Sequence, residues 1–302
     1  MIINSIKSGI SLTWQNKRMA LIYYLASLFF GVILMLPFRA ILSKFVGNSL
    51  MGEKLAGRMD LDFLFEFIKE NPNFFSTYTV LLLALPTAYW LLNLFLSGGA
   101  FSVFTSHEKF TSPLFWGSAV KYFGRFIRLV LWSIPVFAIL FGATFIWNGI
   151  ERLVFGKNPY QYISYWGGWL QMGLRYLCLI IYLMVLDYAR IHAVTTDEHR
   201  MRISLWQGIK FAFKNFGKTF SLALLLFLVG IIALIIYNPI ANLLSAPLWI
   251  VIVSLFIWQQ VYMVFRMMLR LALYAGEVGL YKLFYSQTPD DQSSGSEMLI
   301  LF

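Results

Sequence analysis

Charge is scarce in this chain: Asp, Glu, Lys and Arg make up only 13% of its 302 residues, where a soluble domain carries about a quarter. Cysteine is scarcer still. Cys178 stands alone in an apolar run, which excludes an intrachain disulfide framework and a thiolate metal site. The three histidines, His107, His192 and His199, contain no i, i+4 pair, so the pattern that holds zinc on one helix face is missing. No glycine-rich loop leads into Lys-Ser or Lys-Thr, which removes the usual cradle for nucleotide phosphates. Ser97, Gly98 and Gly99 do not form a nucleophile elbow; small residues there, as at Ser27 and Gly31, permit close helix approach. Asp187-Tyr188-Ala189-Arg190 opens like the signature of enzymes that transfer phosphoalcohols from CDP-linked lipids. It lacks the glycine after the aspartate, the arginine spacing and the downstream aspartates. No catalytic residue, metal ligand or cofactor is therefore assigned, and no enzyme activity is expected.

What is abundant is apolar surface, 59% of residues. Water cannot accommodate so much of it, and a bilayer core takes about twenty apolar residues per helix. Uncharged stretches at 19–37, 79–97, 129–147, 219–237 and 247–265 meet that length. A sixth, 172–190, is bounded by Arg175 on one side and by Asp187 and Arg190 on the other. The runs are continuous rather than alternating, and a helix satisfies its own backbone in lipid. The stretch after Lys17 and Arg18 is long for a signal core, and no small-residue cleavage site follows Pro37, so it is read as a retained span. The sequence thus predicts an all-α polytopic integral membrane bundle of about six transmembrane helices. A single membrane domain covers 1–285, with an external helical loop at 38–78 and a disordered cytoplasmic tail at 286–302.

The net charge of +10 reads as topology, not as a nucleic-acid surface. Basic residues mark cytoplasmic loops. One set of loops carries Lys7, Lys17, Arg18, Lys109, Lys121, Arg125, Arg128, Arg190, Arg200, Arg202, Lys210, Lys214, Lys218, Arg266, Arg270 and Lys282. The other set has fewer, and in its first loop Arg39, Lys44, Lys54, Arg58 and Lys69 are balanced by Glu53, Asp60, Asp62, Glu66 and Glu70. Both termini are expected in the cytoplasm. Tyr160, Tyr162, Tyr165, Trp166 and Trp249 then fall at the outer headgroup level, where amphipathic rings collect.

A unit of basic amphipathic segment, outward span and returning span recurs three times. Lys121-Tyr122-Phe123-Gly124-Arg125 parallels Lys214-Asn215-Phe216-Gly217-Lys218, and Gly9-Ile10 with Asn16 parallels Gly208-Ile209 with Asn215. In the second unit Phe115, Ala119, Phe123 and Phe126 form an apolar stripe opposite Lys121, Arg125 and Arg128; in the third, Trp206, Ile209, Phe213 and Phe216 lie beside the row Lys210, Lys214 and Lys218. Such helices lie in the interface and attract anionic headgroups, so these six cations are the expected lipid contacts. In the external loop Leu61, Leu64, Phe65 and Ile68, widened by Phe63 and Phe67, predict an amphipathic helix capped by Asp60 and stopped at Asn71-Pro72. Its acidic row, Asp62, Glu66 and Glu70, is expected to be a solvated face.

Polar residues gather near the inner halves of the returning spans: Asn93, Asp187, Arg190, Gln259, Gln260, Arg266 and Arg270. Ionisable groups at membrane depth pair or line a wet path. Asp187 has two kinds of partner available, Arg190 on its own helix or Arg266 and Arg270 on the last span. The Glu198-His199 pair is expected to be solvated.

The block Asn93, Ser97, Gly98, Gly99, Phe115 and Lys121-Tyr122-Phe123-Gly124-Arg125-Phe126 resembles a group of bacterial multi-span proteins without assigned activity. Leu186-Asp187-Tyr188-Ala189-Arg190, followed by Trp206-Gln207-Gly208 and Phe213-Lys214-Asn215-Phe216-Gly217, is similar to the membrane domain attached to some glycerophosphodiester phosphodiesterases. The resemblance spans about 90–285. It implies a bacterial cytoplasmic-membrane location and a helical module, and the catalytic domain of those enzymes is absent from this sequence. Two functions follow as expectations: a non-catalytic module contacting lipid or a partner membrane protein, or a small-solute or lipid permease using the polar cluster. The oligomeric state is not encoded in any recognisable pattern.

Overall fold

The computed structural model describes residues 2–47, 61–106, 108–156, 160–244 and 248–285. His107, the cap at Asp60, the charges at Glu53, Lys54, Arg58 and Lys157, the Pro247 start of the stretch 247–265 and the tail from Ser286 lie outside the described residues. The described chain is helical, with no strand among the described residues. In order it runs α1 (Ile2–Gln15), α2 (Lys17–Val46), α3 (Leu61–Glu70), α4 (Pro72–Ser106), α5 (Ser112–Ala143), α6 (Ile146–Phe155), α7 (Gln161–Thr195), α8 (Met201–Lys214), α9 (Phe216–Leu243) and α10 (Trp249–Tyr285). Six helices are long and apolar enough to cross a membrane, five carrying the uncharged stretches and α7 the charge-bounded one. The protein is an all-α, polytopic membrane bundle.

Burial is concentrated at one end. The second halves of α4, α7 and α10 meet there, burying Leu96, Phe101, Met184, Tyr188, Leu271 and Tyr281 in one apolar core. Around this triad of returning helices stand α1, the first half of α5, and α8. Towards the opposite end the helices expose Leu131, Ile139, Ile235 and Ile250, the surface that hydrocarbon must cover. Tyr160, Tyr162, Tyr165, Trp166 and Trp249 are exposed at that far end.

Three close seams fix the returning triad, one for each repeated unit. On α8 the buried face is Ser204, Gly208 and Ala212, and a methyl group at Gly208 would stand 2.7 Å from Ala189 Cα of α7. On α1 it is Ser5, Gly9 and Thr13, and a methyl at Gly9 would stand 2.7 Å from the Ala272 carbonyl oxygen of α10. Ser5, Gly9 and Asn16 match Ser204, Gly208 and Asn215 at identical spacing. At the third seam the small residue has changed sides. Phe115 of α5 occupies the position that Gly9 and Gly208 hold in their units, and Gly99 of α4 makes room for it, 2.6 Å separating its hypothetical methyl from the Phe115 carbonyl oxygen. Each entering helix therefore packs on the returning helix of the unit before it, and α1 closes the ring on the last.

The first and third units also share a break. At Asn16 (φ −106°, ψ 34°) and Asn215 (φ −113°, ψ 28°) the chain leaves helical geometry for one residue before the outward span begins. Asparagine competes for its own backbone and tolerates that excursion: Asn16 Nδ2 donates to the Leu12 carbonyl at 2.9 Å, and its Oδ1 accepts from the Phe110 amide at 2.8 Å. In the second unit Tyr122 stands in this place and α5 runs through unbroken. The basic segment there is thus the start of a span and not a separate interfacial helix. Its stripe Phe115, Ala119 and Phe126 is buried inside the bundle. On α8 the interior face is the small-residue one, while Trp206 and Phe213 point outward beside exposed Lys210 and Lys214.

Helix α3 forms where the sequence placed it and ends at Asn71, but its apolar face is turned. Phe63 and Phe67 are buried, with ring centroids 5.3 and 5.2 Å from Phe45, whereas Leu61 and Phe65 are exposed. Aromatic edge-to-face contacts decide the rotation. Asp62, Glu66 and Glu70 lie on the exposed side, as expected.

Lastly, α9 fixes the depth of the charges on α10. Lys218 Nζ lies 4.2 Å over the Phe284 ring, Leu222 meets Gly276, Gly230 meets Leu269, and Tyr237 stacks on Tyr262 at 4.6 Å. The uncharged stretch 219–237 is therefore abreast of Tyr262 to Leu280. Arg266 and Arg270 stand beside the apolar middle of α9, not beyond the end of a span closing at Phe265.

Candidate functional site

The polar cluster divides into a bonded core and outlying members. On α7, Arg190 Nη1 donates to Asp187 Oδ1 at 2.8 Å, an i, i+3 pair with both side chains buried. The local partner wins over Arg266 and Arg270. Burying two charges is tolerable only when they meet in good geometry, and one helical turn supplies it without any tertiary alignment. The Arg190 guanidinium also lies 5.8 Å from the Phe126 ring of α5.

On α10, Arg270 takes a different acceptor. Its Nη1 donates to Asn93 Oδ1 of α4 at 2.8 Å and its Nε donates to Tyr274 Oη at 3.0 Å, with the Tyr23 ring of α2 5.9 Å away. Its hydrogen-bond acceptors are thus neutral oxygens, with aromatic rings beside it. Asn93, Asp187, Arg190 and Arg270 are brought together; Gln259, Gln260 and Arg266 are not. Gln260 Oε1 accepts from Tyr24 Oη at 2.8 Å, Gln259 is exposed on the outer face of α10, and Arg266 is exposed with its guanidinium 5.9 Å from the Tyr262 ring.

Sequence reasoning missed one member. Glu277 sits on α10 seven residues after Arg270, is 1% exposed, and neither carboxylate oxygen has a hydrogen-bond partner among the described residues. Its signal was present: it is an acidic residue inside an otherwise apolar helical run flanked by Gly276 and Val278. Without the fold, that run looked like a helix leaving the membrane.

Asp187, Arg270 and Glu277, with Arg266 at its exposed edge, line a cavity of about 630 Å³ between α7, α9 and α10. Its walls are apolar, with Met184 from α7, Leu226 and Ile231 from α9, and Leu273 from α10. Charge enters along one stripe of α10, Arg266, Arg270 and Glu277, joined by Asp187 from α7. Rim residues Leu183, Phe227 and Leu234 are exposed on the outer surface, so the cavity opens sideways towards hydrocarbon. Its volume lies in the range of sites that hold small organic molecules.

A second polar assembly closes the basic end. The turn between α7 and α8 places Asp197 at φ 50°, a left-handed conformation open to aspartate. Asp197 accepts from Lys121 Nζ at 3.0 Å, from Arg125 Nη1 at 2.7 Å and from Tyr122 Oη at 3.3 Å. Hydrogen bonds from Lys121 and Arg125 hold its carboxyl down at about 2. His199 Nε2 lies 3.3 Å from Arg125 Nη2, so Glu198-His199 is not simply a solvated pair. Arg125, expected at the lipid surface, is instead buried beneath this turn, and Lys121 is bound to it. Arg128, Lys210, Lys214 and Lys218 are exposed.

Among the described residues no three His, Cys, Asp or Glu side chains gather to hold a metal. Comparison with family models, curated proteins and solved structures returned no match.

Proposed function

We propose that this chain is a non-catalytic membrane module that holds a lipid molecule in the crevice between α7, α9 and α10. The observation that carries this reading is the cavity itself: apolar walls, a lateral opening between exposed Leu183, Phe227 and Leu234, and charge confined to one stripe. An amphiphile presents the same division of surface. A path for small solutes is less well supported, since Gln259 and Gln260 do not line the cavity and Asp187 is closed by Arg190.

We further infer that the basic end faces the cytoplasm, with both termini on that side of a bacterial inner membrane. The excess of Lys and Arg there supports the orientation, and the resemblance to bacterial membrane modules supports the location. Exposed Arg128, Lys210, Lys214 and Lys218 then meet anionic headgroups, each contributing about 1 kcal/mol to surface attraction.

Native mass spectrometry of the detergent-purified protein tests the reading. One retained lipid per chain is expected. Gly230→Leu, which puts a side chain into the cavity wall, should release it while the melting temperature holds. Wild-type protein that arrives bare, or a variant that keeps its lipid, would overturn the proposal.

A further inference from the structure

The charges along the cavity occur in a definite order. Moving along α10 towards the basic end, the cavity wall is first apolar and aromatic at Tyr262, then cationic at Arg266 and Arg270, then anionic at Glu277. Arg266 and Glu277 are eleven residues apart, about 16 Å along the axis, and Arg270 and Glu277 seven, about 10 Å. Asp187 has its own cation in Arg190. Glu277 is therefore the lining carboxylate left without a donor, nine-tenths and more buried, with both oxygens unbonded among the described residues.

A buried carboxylate without donors is costly, and a ligand that brings donors to it gains accordingly. We propose that the cavity selects a zwitterionic phospholipid with a primary ammonium headgroup, its ammonium on Glu277, its phosphate on Arg266 and Arg270, and its acyl chains between Leu226, Ile231 and Leu234. This rests on the lipid-holding reading above and specifies its ligand. The order of groups in such a lipid, chain then phosphate then amine, is the order of the cavity wall. The headgroup amine points to the basic end, as it does for a lipid standing in that leaflet. The span from Arg270 to Glu277 matches one phosphate, a two-carbon link and one ammonium with a charge-assisted hydrogen bond at each end. A quaternary ammonium has no N–H to offer either oxygen, and a glycerol headgroup brings no positive charge. Both should bind less well.

The test is competition in mixed micelles containing phosphatidylethanolamine, phosphatidylcholine and phosphatidylglycerol with matched acyl chains, read by native mass spectrometry on the full chain. Wild-type protein should retain phosphatidylethanolamine about tenfold over either competitor, the factor that one charge-assisted hydrogen bond supplies. Glu277→Gln, which keeps the shape and removes the charge, should collapse that preference towards unity. Arg266→Gln, at the exposed rim, should weaken all three lipids while leaving their ratio intact. Equal retention of the ethanolamine and choline lipids by the wild-type protein overturns the headgroup assignment, whatever the variants do, and leaves the cavity as a general lipid site. No retained lipid of any kind overturns both readings together.

Discussion

Replacing Gly208 by alanine isolates the seam between α7 and α8. The added methyl would lie 2.7 Å from both Cα and N of Ala189, where ordinary contact begins at 3.4 Å. The obstructing atoms are backbone, so no rotamer change relieves them, and the two helices must part by several tenths of an ångström along their whole contact. Overpacking of this kind costs about 1–3 kcal/mol, and a backbone obstruction falls in the upper half of that range. Alanine returns about 1 kcal/mol through its better helix propensity. The net expectation is a loss of about 1–2 kcal/mol, or roughly 2–8 °C in melting temperature at about 2–4 °C per kcal/mol. Gly117→Ala is the matched control: it lies in α5 with nothing within 4 Å of its hypothetical methyl, so only the propensity gain of about 0.5–1 kcal/mol applies. Fluorescence-monitored thermal unfolding of the two purified variants in one detergent compares them directly. Should Gly208→Ala melt at or above the wild-type temperature, the close approach of α8 and α7 would be wrong. Gly9→Ala and Gly99→Ala should fall in the same direction, since a backbone carbonyl oxygen stands within 2.7 Å of each added methyl.

Two further outcomes follow from the polar groups. Arg190→Gln strands Asp187 in the core and should destabilise by about 3–5 kcal/mol, whereas replacing Asp187 and Arg190 together by leucine should cost much less; thermal melts arranged as a double-mutant cycle separate the two cases. Asp197 gives a pH dependence. Its folded carboxyl, held at about 2, lies below the unfolded value of about 3.9. The clamp's contribution is thus complete above about pH 4 and is lost as the pH falls towards 2. Protection of the amides at residues 195–200, taken as exchange relative to the unfolded chain at the same pH, should fall through that window in the wild type, and Asp197→Asn should remove that fall. A flat wild-type profile would show that the clamp does not hold the turn.

The parts of the fold that depend on local composition were legible. Long apolar stretches located all six long helices, because apolar length largely decides whether a helix suits hydrocarbon. Asn71-Pro72 ended α3, and Asn16 and Asn215 were visible as matched positions before their role as breaks was known. Rotation and depth were not legible. Periodicity allowed Leu61 and Phe65 as readily as Phe63 and Phe67, and only the presence of Phe45 selected the latter pair. The Asp187–Arg190 pair was one of two local-or-distant choices. The Arg270–Asn93 bond joins residues 177 positions apart, which no sequence period encodes. Arg125 looked like a surface cation because its partner Asp197 lies in a different loop. Glu277 was passed over for a related reason: whether a lone acid is solvated or sealed depends on which helix lies alongside it.

The seam at Gly9 carries a temporal consequence. Chains are synthesised from their amino-terminal end, so α1 is translated before α10, yet the surface that receives it, Ala272 and Gly276, belongs to that later helix. Helix α1 must therefore wait, unseated, through the insertion of every span between the two. A nascent chain halted ahead of α10 would leave Gly9 and Thr13 uncovered, and completion of the bundle becomes a single late event in which α1 and α10 find each other.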